Sequence, residues 1–241
     1  MDNTAKRAMA DAVEATERDA MPQLRVGTRE QFPKATIHLC GGPVPFYSQE
    51  YAWSCSYACA MMFVAALAQR NGGLRYALAD DAGLVDVSAD GVICATGIRA
   101  IQQAVERAWN GGLNARGREK ILALAPGEQF VGRAGPSARM GPCQIKAALR
   151  EVDVPTTTEP FEGPDAGAKL LKALLHHFTT SADPAPCIYT NNSHVRVVVG
   201  VVVVATDDVR PVYLDPKWAE VEAKVLKSHL RGRAYELLYL E

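Results

Sequence analysis

Residues 44–62, VPFYSQEYAWSCSYACAMM, lead from a proline-broken segment into the opening of a helix, and the fold is decided there. From Cys55 the chain continues as CSYACAMMFVAALAQR to Arg70, almost free of charge and rich in good helix formers. A helix that is apolar on every side belongs at the centre of a fold. Asn71-Gly72-Gly73 supplies the residues for a left-handed stop. Upstream, residues 37–49 contain Gly41, Gly42, Pro43 and Pro45, which predict an irregular approach to the helix.

A cysteine in the first turn of such a helix faces unpaired backbone N–H groups at the positive end of the helix dipole. Both favour the thiolate at neutral pH. Cys55 holds that place. Gln49, six residues upstream, is spaced so that its side-chain amide folds back beside the Cys55 N–H, and the two donors together make an oxyanion hole.

A cysteine nucleophile needs a base, and the base needs an acceptor on its far ring nitrogen to fix tautomer and orientation. Of the five histidines, His194 is the best placed, because it opens the valine-rich run HVRVVVGVVVVA and so sits at the rim of a sheet. After a turn at Thr206-Asp207-Asp208 the chain returns through VYLDP, which ends on Asp215. A hairpin sets the start of one strand beside the end of the next, so His194 and Asp215 become neighbours across 21 residues.

The order of Gln, Cys at a helix start, a distant His leading a β-rich stretch and then Asp-Pro resembles the papain-like cysteine peptidase superfamily. Within it, VPFYSQ…WSCSYACAMM and SHVRVVVGV…VYLDP are similar to the branch of bacteriocin-leader peptidases and papain-fold effector peptidases of pathogens. The resemblance covers about residues 40–216. It implies Gln49 as oxyanion donor, Cys55 as nucleophile, His194 as base and Asp215 as its orienting residue. The residue after the nucleophile departs from the pattern, being Ser56 where Trp or Gly is common. Cys59, one helical turn on, shares a face with Met62 and Phe63 and is read as a core thiol. Taken singly, each residue of the set has a plainer reading: a buried thiol, a polar loop amide, a strand-end histidine, a turn aspartate.

Further helices are expected over 97–109 with Thr96 as N-cap, from Pro142 through PCQIKAALREV, over 167–178, and over 218–230. Strands are expected at 187–190, 194–205, 209–214 and 234–240. Residues 113–140, with several Gly and Arg, read as loop. Helices early and an antiparallel sheet late give an α+β architecture: a helical lobe carrying the Cys helix, packed on a β lobe. The expected division is an N-terminal helical arm over 1–36, its helix at 4–20, and a peptidase domain over 37–241.

Composition excludes several classes. The 26 Lys and Arg against 27 Asp and Glu leave a net charge of −1, so no positive field draws in nucleic acid or an anionic membrane. The longest apolar run, 197–205, is about half of what a spanning helix needs. The N-terminus mixes both signs of charge and does not read as a secretory signal. Six scattered cysteines without a CxxC pair read as free thiols in a reducing compartment. His176 and His177 are adjacent on a helix and cannot share a face, and His38 and His229 are isolated, so neither a metal nor a cofactor is expected. The expected place of action is the cytoplasm of the producing cell, or outside it after release as an effector by a route independent of a signal peptide. The leading reading is a thiol hydrolase acting on protein or peptide. An amidase or acyltransferase of the same fold and a non-catalytic binding module stay open beside it, as does the oligomeric state.

Overall fold

The computed structural model describes residues 16–19, 28–49, 51–191, 194–217, 224–225, 230 and 234–241. In chain order the strands and helices are β1 (Thr16–Asp19), β2 (Thr36–Leu39), β3 (Pro45–Phe46), α1 (Cys55–Arg70), α2 (Gly72–Tyr76), β4 (Val85–Val87), β5 (Ile93–Ala95), α3 (Ile98–Asn110), α4 (Ala115–Leu122) and α5 (Pro142–Arg150). They continue with β6 (Thr156–Glu162), α6 (Ala166–Thr180), β7 (Cys187–Thr190), β8 (Val195–Ala205), β9 (Asp208–Leu214), β10 (Lys224–Val225) and β11 (Ala234–Leu240). The helix-then-sheet order makes an α+β fold.

α1 is the axis of the molecule. Every residue from Ser56 to Ala68 is buried, and the helix packs on β8, β7, β3 and β5. Five alanines among those residues let the neighbouring backbones approach closely, while Met61, Met62, Phe63 and Leu67 fill the space between. Asn71 ends the helix in an extended conformation (φ −154°, ψ 162°), not a left-handed one. Its side chain is the reason, since Asn71 Oδ1 accepts from Leu74 N–H at 2.8 Å and so caps α2, which the two glycines enter. At α3 the N-cap is Gly97, at φ 110°, one residue later than expected. Thr96 instead donates its hydroxyl to the Gly83 carbonyl at 2.8 Å.

The stretch 113–140 is ordered by one buried cation. Arg133, 5% exposed, donates to the carbonyls of Ile121, Ser137, Ala125 and Glu128 at 2.6–3.4 Å. Those four oxygens close the segment around α4, a helix the loop reading had missed. Gln102 extends the network through Arg133 O and Gly132 N–H to Tyr57 on α1.

The seven-stranded sheet is antiparallel throughout, in the order β10-β9-β8-β7-β11-β6 with β2 also on β8. β9 runs along one edge of β8. Along the other edge β7 takes Val195 to Val198 and β2 takes Gly200 to Val203. The register puts Arg196, Tyr189 and Leu237 side by side on one face, and Val197, Ile188 and Leu238 on the other.

Two expected helices change character. Thr16–Asp19 is a strand against Pro45–Phe46, while 4–15 and 20 lie outside the described residues. Lys224–Val225 pairs with Val212 and Tyr213, so a helix does not run unbroken over 218–230; the rest of that span, apart from Leu230, is likewise outside the described residues. In both places an open strand edge offers hydrogen bonds that outcompete a marginal helix.

Gly200 is needed where three strands meet. β8 slips register against β9 between Val198 and Gly200, and Val199 accepts from Cys40 N–H at 2.9 Å. A Cβ on Gly200 would strike His38 O and the Leu39 side chain and come within 3.0 Å of Leu39 Cα. Backbone cannot yield as a flexible side chain does, so Gly200→Ala is expected to lower stability by about 1–3 kcal/mol. Urea unfolding checks this, and a wild-type midpoint would contradict it.

Candidate active site

Cys55 opens α1, directly after the turn Tyr51–Ser54. Ser54 N–H donates to Tyr51 O at 2.9 Å, and the Ser54 hydroxyl donates to the same carbonyl at 2.9 Å. The hydroxyl is thus committed to the turn, makes no side-chain cap for the helix and leaves the first N–H groups open. Trp53 stacks on Tyr51 at 6.0 Å and meets Tyr57 edge-on at 5.7 Å, so it anchors the turn as a packing residue.

His194 stands one residue before β8 and its backbone is pinned. Its N–H donates to Asn191 Oδ1 at 3.0 Å, and its carbonyl accepts from Asn191 N–H at 3.3 Å and Thr190 Oγ1 at 3.2 Å. Nε2–H donates to Asp215 Oδ1 at 2.6 Å, which leaves Nδ1 for the hydrogen bond between His194 and the Cys55 sulfur. Asp215, 3% exposed, also accepts from Lys217 N–H at 3.0 Å and, on Oδ2, from Arg196 Nε at 2.9 Å. The hairpin thus joins the three residues in one chain of hydrogen bonds, Cys55 to His194 to Asp215.

Gln49 is tied to the same corner by its backbone. Its N–H donates to Pro216 O at 2.6 Å, immediately after Asp215. Its side-chain Oε1 is buried without a hydrogen-bond partner among the described residues. Ser56 is turned inward at 1% exposure, and its backbone N–H points at the Cys55 sulfur.

Arg196 is the residue that the motif reading missed. It sits two positions after His194, on the face of β8 beside Tyr189, and its guanidinium lies 5.9 Å from the Tyr189 ring and 5.3 Å from the Tyr213 ring. The signal was present as a lone charge in a run of valines.

The electrostatics divide the thiols sharply. Burial pushes the Cys55 thiol up, but the His194 hydrogen bond, the N–H groups of Val195 and Ser56 and the imidazolium charge outweigh burial and hold it below its ordinary value. Burial opposes the charged form of His194 as well. The hydrogen bonds to Asp215 and Cys55 and the carboxylate charge prevail, raising the ring to about 9. Burial likewise acts against the Asp215 carboxylate, and the contacts with His194, Lys217 N–H and Arg196 keep it below its usual range. Cys59, fully buried, is pushed well up by that burial and by the negative charges of Cys55 and Asp215, so it packs in the core as its face suggested. Cys143 is exposed, yet burial of its sulfur and its contact with the Glu236 carboxylate push it up to about 11.

No protein-family model and no curated protein matches the chain. Among solved structures, UfSP from C. elegans superposes with a TM-score of 0.56 at 15% identity, over 90% of this chain and 36% of UfSP. The chain therefore spans little more than a third of that protein's length. UfSP has a papain-like fold, and the likeness shows that fold for this chain.

Two outcomes follow from the electrostatics. At pH 7 iodoacetamide should modify Cys55 ahead of the more exposed Cys143, as read by peptide mass mapping. The His194 ring should titrate near 9 by NMR. Because Asp215 is what favours the proton, Asp215→Asn should bring that midpoint down towards the ordinary histidine range; an unmoved midpoint would refute the assignment.

Proposed function

We propose that the chain is a thiol hydrolase of the cysteine-peptidase type, with Cys55 as nucleophile, His194 as base, Asp215 as its orienting residue and Gln49 as an oxyanion donor. The observation that carries this reading is the single hydrogen-bonded chain from Cys55 through His194 to a buried Asp215, set at a helix N-terminus in a papain-like fold.

At neutral pH the resting pair is Cys55 thiolate and His194 imidazolium. The sulfur attacks the carbonyl carbon of a peptide bond and the carbonyl electrons move onto its oxygen. The Cys55 N–H and the Gln49 side-chain amide donate to that oxyanion. The backbone bond from Gln49 N–H to Pro216 O supports its role, because it ties the residue to the corner that carries Asp215. As the intermediate collapses, His194 gives its proton to the leaving amine and the C–N bond breaks. Neutral His194 then takes a proton from water, whose oxygen attacks the thioester. The acid departs, and Cys55 and His194 return to their starting charges.

The substrate proposed is protein or peptide, bound without cofactor or metal. On the motifs VPFYSQ…WSCSYACAMM and SHVRVVVGV…VYLDP, the finer placement proposed is the branch of leader peptidases and effector peptidases, acting in the producing cell or after release by a route independent of a signal peptide. Among the described residues no helix is long and apolar enough to cross a membrane.

Cys55→Ala should abolish cleavage in a proteome incubated with the protein and scored for new N-termini, with the melting temperature close to wild type. Cleavage that survives the substitution refutes the mechanism. Gln49→Ala should be milder, lowering kcat on the order of 10²–10³-fold for one lost oxyanion donor.

A further inference from the structure

The buried carboxylate at the end of the triad has two cationic partners, and only one of them belongs to the proposed mechanism. His194 Nε2–H takes Oδ1 at 2.6 Å, and Arg196 Nε–H takes Oδ2 at 2.9 Å. Asp215 is 3% exposed, and the Arg196 side chain is itself only 21% exposed. Arg196 is therefore not a surface cation passing by. It is clamped between the rings of Tyr189 and Tyr213, with its Nη1 also 3.4 Å from the Tyr189 hydroxyl. Strand register fixes this sandwich: Tyr189 lies opposite Arg196, and Tyr213 lies opposite Val198, two residues along the same face.

We propose that Arg196 is a positioning residue of the active site, one that keeps Asp215 ionised and in plane during the half of the catalytic cycle in which His194 is neutral. This rests on the thiol-hydrolase reading above. A buried carboxylate is stable only while a cation or several N–H donors face it. When His194 passes its proton to the leaving amine, the imidazolium charge disappears from Oδ1. The neutral ring still donates Nε2–H to that oxygen beside Lys217 N–H, but no cation then faces it. Arg196, permanently charged, holds the other oxygen throughout, so Asp215 neither turns away nor captures a proton, and it is in place to steady the ring when His194 takes a proton from water. The arrangement also stops the aspartate from holding the imidazolium too tightly. With the carboxylate shared between two cations, His194 releases its proton more readily than it would from an isolated pair.

The groups acting on this centre come from several elements. α1 supplies Cys55 and Cys59, β7 supplies Tyr189, β9 supplies Tyr213 and leads to Asp215, and the following turn supplies Lys217 through its backbone. α6 packs on β8 and β9, and the ionisable side chain it buries, His177, interacts with Ala185 O, Arg70 and His176, not with the triad.

The test is Arg196→Gln, which removes the charge and keeps a polar side chain, beside Arg196→Lys, which keeps the charge and loses the fixed Nε contact. The readouts are the His194 ring titration by NMR and steady-state kinetics on a peptide identified by wild-type cleavage. For Arg196→Gln we expect the ring midpoint to move to higher pH and kcat to fall about tenfold or more with KM little changed. Arg196→Lys should return the midpoint to near wild type and recover only part of kcat. A midpoint in Arg196→Gln that stays or moves down, or a defect confined to KM, overturns the proposal. If Arg196→Gln does not fold, Arg196→Lys decides alone, since full wild-type kcat in that variant would mean that the guanidinium geometry does no positioning. Wild-type alkylation separates the two levels: a Cys55 that reacts only above the ordinary thiol range refutes the thiol-hydrolase reading itself, whereas a reactive Cys55 with an indifferent Arg196 refutes this inference alone.

Discussion

A carboxylate sealed from water is the constraint from which the rest of the site follows. Asp215 is 3% exposed, and a charge so placed is tolerable only when its oxygens are filled with donors. Those donors come from two pieces of chain, the start of β8 and the turn after β9. His194 precedes β8, Arg196 lies within β8, and Lys217 N–H belongs to the turn after β9. One residue further, Pro216 O accepts from Gln49 N–H, so the approach segment that delivers Cys55 is bonded to the same corner. Satisfying one buried charge therefore fixes the distance between the helical part of the molecule and the sheet.

That distance decides the chemistry of α1. A helix start favours a thiolate only weakly at an exposed position. Here the Cys55 sulfur is half-buried, which by itself acts against ionisation, and the imidazolium held by Asp215 reverses the outcome. The causal order is then clear. The aspartate raises the histidine, the histidine lowers the cysteine, and the open N–H groups at the head of α1 add to a balance already tipped. The fold serves this order by giving the two partners rigid seats: α1, buried along its length, and the valine-rich β8, paired on both edges.

The parts legible in the sequence were those with a short-range physical signature. The apolar stretch from Cys55 to Arg70, the proline opening α5 and the β-branched run after His194 each announce their structure within a few residues. So did the pairing of His194 with Asp215, because a hairpin needs only two strands and a turn. What the sequence hid depends on distant partners. β6 reads as TTTEPFE, with little apolar alternation, and it exists because β11 offers it a full edge. α4 and its surroundings looked like loop because the residue that closes them, Arg133, acts on carbonyl groups that carry no side-chain identity. Asn71 looked like a left-handed stop until its side chain found Leu74 N–H. Arg196 was hidden for a related reason: in a run of valines it resembles a solvated break, and only the register shows that it lies between two tyrosines with its Nε on the buried aspartate.

Cys55 and Cys59 show how little of reactivity is intrinsic to the residue. They lie one helical turn apart on the same helix, in the stretch Cys-Ser-Tyr-Ala-Cys, and their thiols are displaced in opposite directions. Cys59 is buried and Cys55 half-buried, and each feels Asp215, directly or through His194. The difference is what stands between. At Cys55 the imidazolium intervenes, so the aspartate reaches the sulfur as a positive charge one step removed. At Cys59 the Arg196 charge favours the thiolate but does not outweigh burial and the like charges of Cys55 and Asp215 on a sulfur cut off from water. Two thiols four residues apart can therefore be displaced in opposite directions without either residue changing its type, because His194 approaches the helix at its first residue and not at its fifth.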